Sequence, residues 1–175
     1  MFINPSSNNL IVMKSVGYAI DDFELEGVDE HGEIRTYTLS ELTDEAVCVL
    51  NVYVYDYSPV CTDQVCNISE LDWLSINHDV NVVGISGDGP YSHQQFIGDN
   101  RIGYPLLCDT AEEVIEELGV MHEEKDGLRR VPQRSMFLIG GDHRIRWKWV
   151  AEDNWDDWTS GPIEALNHEI SGLHN

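Results

Sequence analysis

The residues VCVLNVYVY at positions 47–55 and VNVVGI at positions 80–85 decide the fold of this chain. Both runs are nearly continuous in apolar, mostly β-branched residues, which is the pattern of strands that are covered on both faces. Between them, Ser58 is typical of a helix N-cap and Pro59 of the first helical position. Apolar residues then recur at helical spacing, so the sequence predicts a βαβ unit with an amphipathic helix over residues 59–76.

The segments around this unit alternate between strand and helix patterns. Residues 1–16 are polar and rich in turn formers, so they predict a loosely held lead-in, and residues 17–175 read as a single domain. The order of elements implies an α/β fold of thioredoxin-like type, with a mixed central sheet and helices on both faces. The further predicted elements are strands at 34–38 and 105–108, a hairpin of 135–139 and 144–150, helices opened by capping boxes at Ser92–Gln95 and Thr110–Glu113 and closed near Asp99 and Gly119, and a last helix from Pro162.

The charge of the chain is strongly one-sided. It has 32 acidic and 10 basic residues, a net charge of -22 at pH 7, and the acidic residues are dispersed along the whole sequence. Such a surface repels polyanions, so nucleic acid and anionic membranes are poor partners. The dispersed acidic coat indicates a high-salt cytoplasm, where ions screen self-repulsion; an ordinary acidic protein is the alternative. Neither a signal-peptide pattern nor a run of about 20 apolar residues is present, which predicts a cytoplasmic location.

Cys61 is the strongest candidate for a reactive residue. It falls in the first turn of the helix predicted from Pro59, where unpaired backbone N–H groups and the helix dipole favour an anion. That environment favours the thiolate, which is the nucleophilic form of cysteine and can attack a peroxide oxygen to leave a sulfenic acid. The alternative is that Cys61 is a small buried apolar residue.

Cys66 follows five residues later on the same predicted helix. The two Cα atoms of such a pair are roughly 8–9 Å apart, beyond the ~4.4–6.8 Å that a disulfide tolerates, so a bond between them requires local unwinding. The spacing is too wide for a Cys-x-x-Cys redox motif, and a core-facing helix residue is the alternative. Cys48 falls within the buried strand, and Cys108 is either packed or a second thiol. The scattered histidines show no spacing typical of a metal site.

The segment from Val54 to Cys61 resembles the core motif of the peroxiredoxin (AhpC/TSA) superfamily, Pro-x-x-x-(Thr/Ser)-x-x-Cys. The resemblance implies that Cys61 is the peroxidatic cysteine and that Ser58 supplies the hydroxyl that helps to hold the peroxide and the thiolate. Arg134, within VPQRSMFLI, is similar to the arginine that enters a distant strand in this family, which implies a guanidinium that stabilises negative charge at the site. The alternative for Arg134 is a surface arginine at a strand end.

Further matches to the family cover roughly residues 17–150. The segments GISGD at residues 84–88 and YPLLCD at residues 104–109 are similar to its second strand and to a later strand segment. The spacing in CTDQVC at residues 61–66 specifically resembles the peroxiredoxin Q, or bacterioferritin comigratory protein, branch. This likeness implies that Cys66 is the resolving cysteine and forms an intramolecular disulfide with the peroxidatic cysteine.

The active-site segment departs from the family pattern at Val54. Valine stands where the motif has proline, seven residues before the cysteine, which implies a different pocket shape or substrate choice. Asp56 adds a negative charge near a site that must hold a thiolate, an unfavourable placement unless its carboxylate points to solvent. Near the C-terminal end, Trp155 and Trp158 lie among acidic residues and predict either an aromatic contact surface or a solvated loop.

The resemblance implies a thiol peroxidase that reduces hydrogen peroxide or organic hydroperoxides. A thioredoxin-like dithiol protein would re-reduce it, no cofactor is needed because sulfur carries both electrons, and the protein would be a monomer or homodimer. One alternative is a thiol–disulfide exchange protein on the same fold, which predicts a close Cys-x-x-Cys that the sequence lacks. The other is a redox sensor or binding module with a degraded site, which the departure at Val54 favours.

Overall fold

The computed structural model describes residues 12–71 and 79–173 of the chain. Residues 1–11 of the predicted lead-in and residues 72–76 of the predicted helix lie outside these ranges. No helix within the described ranges is long and apolar enough to cross a membrane.

The described elements are β1 (Glu24–Val28), β2 (Ile34–Thr38), α1 (Leu39–Leu42), β3 (Val47–Val52), α2 (Pro59–Ser69), β4 (Val80–Ser86), α3 (Pro90–Asn100), β5 (Leu106–Cys108), α4 (Glu113–Leu118), β6 (Met121–Lys125), β7 (Leu128–Pro132), β8 (Ser135–Ile139), β9 (Ile145–Val150) and α5 (Gly161–Gly172).

A seven-stranded mixed sheet forms the centre of the fold, with the order β2-β1-β5-β4-β3-β8-β9. Strands β3, β4 and β5 are parallel, whereas β1, β2, β8 and β9 pair antiparallel with their neighbours. The predicted unit of β3, α2 and β4 and the predicted hairpin of β8 and β9 are therefore confirmed, but helix α2 ends at Ser69, short of the predicted end at residue 76. Because parallel strands end at the same edge, the carboxyl ends of β3, β4 and β5 meet on the side of the sheet where α2 begins.

Apolar side chains of successive strand residues pack on opposite faces of the sheet. Val49 and Leu138 belong to one core, and Leu50 and Phe137 belong to the other. Helices α2, α3 and α5 bury residues in the first core, whereas α1 and α4 bury residues in the second. Helices thus cover both faces, and the predicted mixed α/β architecture of thioredoxin-like type is confirmed.

The strand predicted over residues 47–55 ends at Val52. Tyr53 and Val54 are fully buried in the first core, and Tyr55 packs against it, but these residues lie on the turn that leads to α2. Their apolar character therefore reflects packing beside the helix. Periodicity alone cannot separate such a buried turn from the end of a buried strand.

Both predicted capping boxes are wrong. Helix α3 begins at Pro90, and the hydroxyl of Ser92 donates to the Asp56 carboxylate at 2.8 Å. Helix α4 begins at Glu113 itself, although its predicted end at Gly119 is confirmed. The capping-box pattern takes account only of residues that are close in the sequence. The hydroxyl of Ser92 instead binds a carboxylate from a distant part of the chain.

Several short elements carry no clear sequence pattern and were not predicted. These are β1, α1 and the hairpin of β6 and β7, which forms a separate two-stranded sheet. The sequences of β6 and β7, MHEEK and LRRVP, place charged residues where alternation would require apolar ones. Their pairing depends on the turn between them and on the chain that packs around them, which overrides intrinsic strand preference.

Candidate active site

Cys61 is buried in the first turn of α2, with 1% of its surface exposed. The backbone N–H groups of that turn have no acceptor within the helix, and the positive end of the helix dipole lies beside the sulfur. The N–H group of Val54, on the turn before the helix, donates a hydrogen bond to Cys61 Sγ at 3.3 Å. The sulfur thus lies among backbone donors that favour negative charge.

The turn between β3 and α2 places Ser58 at the helix start. Ser58 is the N-cap residue, as predicted, but its hydroxyl donates to the carbonyl oxygen of Tyr55 at 2.9 Å and makes no capping bond. Tyr57 has a φ of 67°, a left-handed conformation that costs roughly 1–2 kcal/mol. Its hydroxyl bond to Asp99 at 2.8 Å and its ring contact with Phe96 hold this conformation. Since the Ser58 side chain does not cap them, the first N–H groups of α2 remain able to bind an anion.

Arg134 lies between β7 and β8 and is buried, with 2% of its surface exposed. Its guanidinium donates to the carbonyl oxygens of Asn154 at 3.1 Å and Asp153 at 2.9 Å. It also donates to the side-chain oxygen of Gln64, a residue of α2, at 3.4 Å. These bonds fix the guanidinium between the C-terminal loop and the helix that carries Cys61. The alternative of a surface arginine at a strand end is wrong.

The charges around the two cysteines of α2 differ in sign. Burial lowers the pKa of Arg134, whereas electrostatic interactions with the Cys61 side chain and with the carboxylates of Asp156 and Asp153 oppose that effect. A guanidinium keeps its proton throughout the neutral range. Burial raises the pKa of Cys66, and two nearby carboxylates raise it further. Cys61 therefore has a cation as its neighbour, whereas Cys66 is a neutral thiol near neutral pH.

A pocket of about 280 Å³ opens at the start of α2 and reaches Cys61. Trp155 forms one wall; its indole N–H donates to Asp126, and its backbone N–H donates to Asp153 at 3.0 Å. The pocket is larger than hydrogen peroxide alone requires, because a water molecule occupies roughly 30 Å³ in the liquid. The lining residues are Ser58, Pro59, Val60, Cys61, Asn154 and Trp155.

Asp56 does not point to solvent but forms a buried pair with His93. Asp56 Oδ2 lies 2.8 Å from His93 Nδ1, and the hydroxyls of Tyr53 and Ser92 donate to the same carboxylate at 2.6 and 2.8 Å. His93 Nε2 lies 3.0 Å from the carbonyl oxygen of Leu107. Because both partners of the imidazole are acceptors, both ring nitrogens carry protons, and the His93 imidazolium neutralises Asp56. The carboxylate therefore adds no net charge beside Cys61.

The buried pair makes stability depend on pH. Burial lowers the pKa of His93, but hydrogen bonds and charge interactions with Asp56 and Cys108 outweigh burial and raise the pKa to about 10. The pair should stabilise the fold fully below pH 6.5, the ordinary value, and lose this contribution as the pH rises through about 10. We expect His93→Gln to lower the free energy of unfolding by about 3–5 kcal/mol near pH 6, and by less at high pH.

Urea unfolding of the wild type and His93→Gln across this pH range measures the difference. His31→Gln is the matched control, because His31 is exposed and should show little change at any pH. A His93→Gln deficit of constant size between neutral and strongly alkaline pH would contradict the ion pair.

The remaining cysteines lie in the core or at its edge. Cys48 is fully buried, as predicted, and burial raises its pKa to about 12. Cys108, at the end of β5, is buried and contacts His93, and all four cysteines are free thiols. Within residues 12–71 and 79–173, no group of three or more His, Cys, Asp or Glu side chains is placed to hold a metal ion.

Sequence reasoning missed the polar residues that hold Arg134. Gln64 carried a signal, since it is a polar residue on the apolar face of the predicted helix and is fully buried. Asn154 carried none that a local pattern could reveal. Its Oδ1 accepts from the Arg134 backbone N–H at 2.8 Å, and its Nδ2 donates to the Pro132 carbonyl oxygen at 2.9 Å. The loop that bears Asn154 therefore holds the backbone N–H of Arg134, its guanidinium and the carbonyl oxygen of the nearby Pro132.

Comparison with known proteins identifies relatives over most of the chain. Residues 16–148 match the AhpC/TSA family. The chain is 26% identical to the 1-Cys peroxiredoxin A of Oryza sativa subsp. japonica over 145 residues, which are 78% of this chain and 64% of that protein. It is 28% identical to the putative peroxiredoxin YkuU of Bacillus subtilis over 149 residues, 81% of either chain. The chain thus spans less than two thirds of the length of the Oryza relative.

Solved structures share the fold. The crystal structure of peroxidoxin BcpB from Mycobacterium tuberculosis matches with a TM-score of 0.71 and 29% identity, over 89% of this chain and 96% of that chain. A cysteine-to-serine mutant of PrxQ from Xylella fastidiosa matches with a TM-score of 0.77 over 93% of this chain and 98% of that chain. At 23% identity, the second likeness bears on the fold alone.

Proposed function

The chain belongs to the AhpC/TSA family, and on that premise we propose that it is a thiol peroxidase with Cys61 as the peroxidatic cysteine. The observation that carries the proposal is the place of its sulfur, which is buried in the first turn of α2, beside the Arg134 guanidinium, at the end of a pocket. Such surroundings favour a thiolate and admit a small substrate.

In the first step, the Cys61 thiolate attacks the terminal oxygen of a hydroperoxide ROOH. An S–O bond forms with an electron pair of the sulfur while the O–O bond breaks, and the leaving RO⁻ takes up a proton to become ROH. Sulfur is oxidised to sulfenic acid, and the peroxide is reduced to an alcohol, or to water when R is hydrogen. The substrate is hydrogen peroxide or an organic hydroperoxide, and the room beside Trp155 supports acceptance of an organic group.

Arg134 and Ser58 have complementary roles in this step. The guanidinium would stabilise both the thiolate and the negative charge that develops on the leaving oxygen. The Ser58 hydroxyl lines the pocket and donates to Tyr55, so its lone pairs can accept a hydrogen bond from the O–H group of the peroxide. The two side chains would hold opposite ends of the O–O bond.

Resolution by Cys66 is the second step that we propose. The Cys66 sulfur attacks the Cys61 sulfenic acid, an S–S bond forms, and the S–O bond breaks to release water. Since α2 is continuous from Pro59 to Ser69, its first turns must unwind before the sulfurs meet. The contact between Trp158 Nε1 and Asn67 Oδ1, at 2.8 Å, holds this helix against the C-terminal loop and would have to yield.

Recycling would need an external dithiol. A thioredoxin-like protein would attack the disulfide, pass through a mixed disulfide, and leave with its own two sulfurs bonded, so that both protein thiols are restored. The likeness to a protein named BcpB supports the peroxiredoxin Q branch. The net charge of -22 supports a high-salt cytoplasm, and the oligomeric state in this proposal is a monomer or homodimer.

A cycle with a single cysteine is the competing mechanism, and the name of the Oryza relative, a 1-Cys peroxiredoxin, favours it. In that cycle an external thiol reduces the Cys61 sulfenic acid directly, and Cys66 is a packed helix residue. The raised pKa of Cys66 also makes it a slow nucleophile while α2 is intact.

Peroxide consumption with a recycling reductant tests the proposed function. With thioredoxin, its reductase and NADPH, the protein should consume hydrogen peroxide or cumene hydroperoxide over many turnovers. A thiol–disulfide exchange protein would reduce protein disulfides without consuming peroxide. A sensor or binding module would take up no more than one equivalent and stop, whether thioredoxin or a small thiol such as dithiothreitol is the reductant, whereas a single-cysteine peroxidase would turn over with the small thiol. Either of these results would overturn the proposed peroxidase.

Cys66→Ser separates the two cycles. With one equivalent of peroxide, we expect wild type to form a Cys61–Cys66 disulfide, and the variant to keep a sulfenic acid that dimedone traps. Amide exchange should speed up across about residues 59–70 in the oxidised wild type, because unwinding exposes helical N–H groups, while β3 stays protected. Mass spectrometry of labelled peptides measures both.

A sulfenic acid that persists in wild type, or a bridge from Cys61 to Cys108 or to another subunit, would remove the resolving role of Cys66. The attack by Cys61 would stand in each of those cases. Cys108→Ser is the control and should form the same intramolecular bridge as wild type.

A further inference from the structure

Val54 lies on the turn between β3 and α2, and its backbone N–H is directed at the sulfur of Cys61. The distance from Val54 N to Cys61 Sγ is 3.3 Å, within hydrogen-bonding range for a sulfur acceptor. Val54 is fully buried, so water does not reach this N–H. Among the described residues, Cys61 Sγ is the acceptor for this N–H group. The contact is therefore favourable, because a buried N–H group without an acceptor costs free energy.

We propose that the backbone N–H of Val54 is a catalytic donor that binds the Cys61 thiolate and holds the nucleophile in its reactive charge state. The inference deepens the proposed peroxidase function and rests on it. A neutral thiol sulfur is a weak acceptor, whereas a hydrogen bond to an ionised acceptor is about twice as strong as one between neutral groups. The same N–H therefore stabilises the thiolate more than it stabilises the thiol.

Neighbouring groups hold this donor in place before any substrate arrives. The backbone N–H of Tyr53 donates to the carbonyl oxygen of Ile85, on β4, at 3.2 Å. The Tyr53 ring contacts Phe96, and its hydroxyl is bound to the buried Asp56 carboxylate. A donor that is fixed in advance needs no reorganisation when charge appears on its acceptor, which is the condition under which such donors assist catalysis.

The residue type at position 54 decides whether this donor exists. Proline has no backbone N–H, and proline occupies this position in the motif that the chain resembles. Val54 thus supplies a contact to the sulfur that a proline cannot supply. By sequence alone, valine in place of the motif proline favours a degraded site. In the structure, the same valine provides a hydrogen-bond donor to the Cys61 sulfur.

The variants Val54→Pro and Val54→Ala separate the N–H from the side chain. Both lose the packing of the valine methyl groups, but only proline removes the donor. In Val54→Pro, we expect the midpoint of the pH–rate profile for iodoacetamide alkylation of Cys61 to rise by about one pH unit, a tenfold loss of thiolate below it. In Val54→Ala the midpoint should stay at the wild-type value. Peptide mapping distinguishes Cys61 from the other cysteines.

The upper end of the same profile distinguishes a lost donor from a damaged fold. A more basic thiolate is more nucleophilic, with a Brønsted slope of about 0.4–0.5, so the limiting alkylation rate at high pH should be about threefold higher in Val54→Pro. A general structural defect would instead change the limiting rate in Val54→Ala as well, or leave the midpoint of Val54→Pro at the wild-type value. Equal midpoints in the two variants would overturn the proposal.

A measurement on the wild type keeps the proposal testable if Val54→Pro does not fold. In ¹⁵N-labelled protein, the Val54 amide proton should shift downfield as Cys61 ionises, and the shift should be missing in Cys61→Ser. An amide that does not respond would overturn the proposal. Neither readout uses peroxide turnover, so the two proposals can fail separately. A protein without peroxidase activity whose Val54 amide responds to ionisation of Cys61 would reject only the peroxidase function. An active protein whose Val54→Pro and Val54→Ala variants have equal midpoints would reject only the role of the Val54 N–H.

Discussion

Cys61→Ser is expected to abolish peroxide reduction, with a fall of at least about 10³-fold in kcat/KM, while the protein stays folded. A serine hydroxyl is not ionised near neutral pH, so the helix N-terminus and the Arg134 guanidinium would have no anion to stabilise. The site itself should tolerate the change, because a hydroxyl is smaller than a thiol and can accept the hydrogen bond from Val54. Stopped-flow consumption of hydrogen peroxide measures the loss.

Cys108→Ser is the matched control for this experiment. It makes the same change of atom at another buried cysteine, one that lies at the end of β5 and not at the start of α2. We expect its turnover to stay within about twofold of wild type. Peroxide turnover by Cys61→Ser at a rate comparable to wild type would reject the mechanism.

Arg134→Lys should slow the single-turnover oxidation of Cys61 by roughly 10²–10³-fold, the range for removing a preorganised donor from a charged transition state. Lysine keeps the positive charge but cannot reproduce the planar fork of donors that reaches Asn154, Asp153 and Gln64 together. The variant should also lose stability, because buried carbonyl oxygens of the C-terminal loop would lose their donors, at about 1–3 kcal/mol for each unsatisfied group.

The two effects of Arg134→Lys are measured separately, by rapid-quench detection of the sulfenic acid and by urea unfolding. Arg146→Ala is the control: Arg146 is half exposed and pairs with Asp142 at the surface, so both its oxidation rate and its stability should stay near wild type. Loss of stability in Arg134→Lys with an unchanged oxidation rate would mean that Arg134 only ties the loop to the helix.

Local patterns were sufficient for the centre of the fold. The β-branched runs before and after α2, and the serine and proline at its start, are short-range signals, and the structure has the strand, helix and strand that they predict. The elements that were missed or misplaced are those whose local signal is weak or is overridden. The Ser92 hydroxyl donates to Asp56 and does not form the predicted cap. The charged strands β6 and β7 pair with each other despite their composition.

The sequence by itself determined the βαβ unit and the place of Cys61 in the first turn of its helix, because both depend on residues that are close along the chain. Only the tertiary structure decided what surrounds the sulfur. Arg134 reaches Gln64 across 70 positions, and His93 reaches Asp56 across 37. Even the nearby Val54 N–H meets the sulfur through a turn in which Tyr57 has a left-handed φ of 67°. Such contacts arise from how sheet, helices and loops pack together, and no local periodicity encodes them.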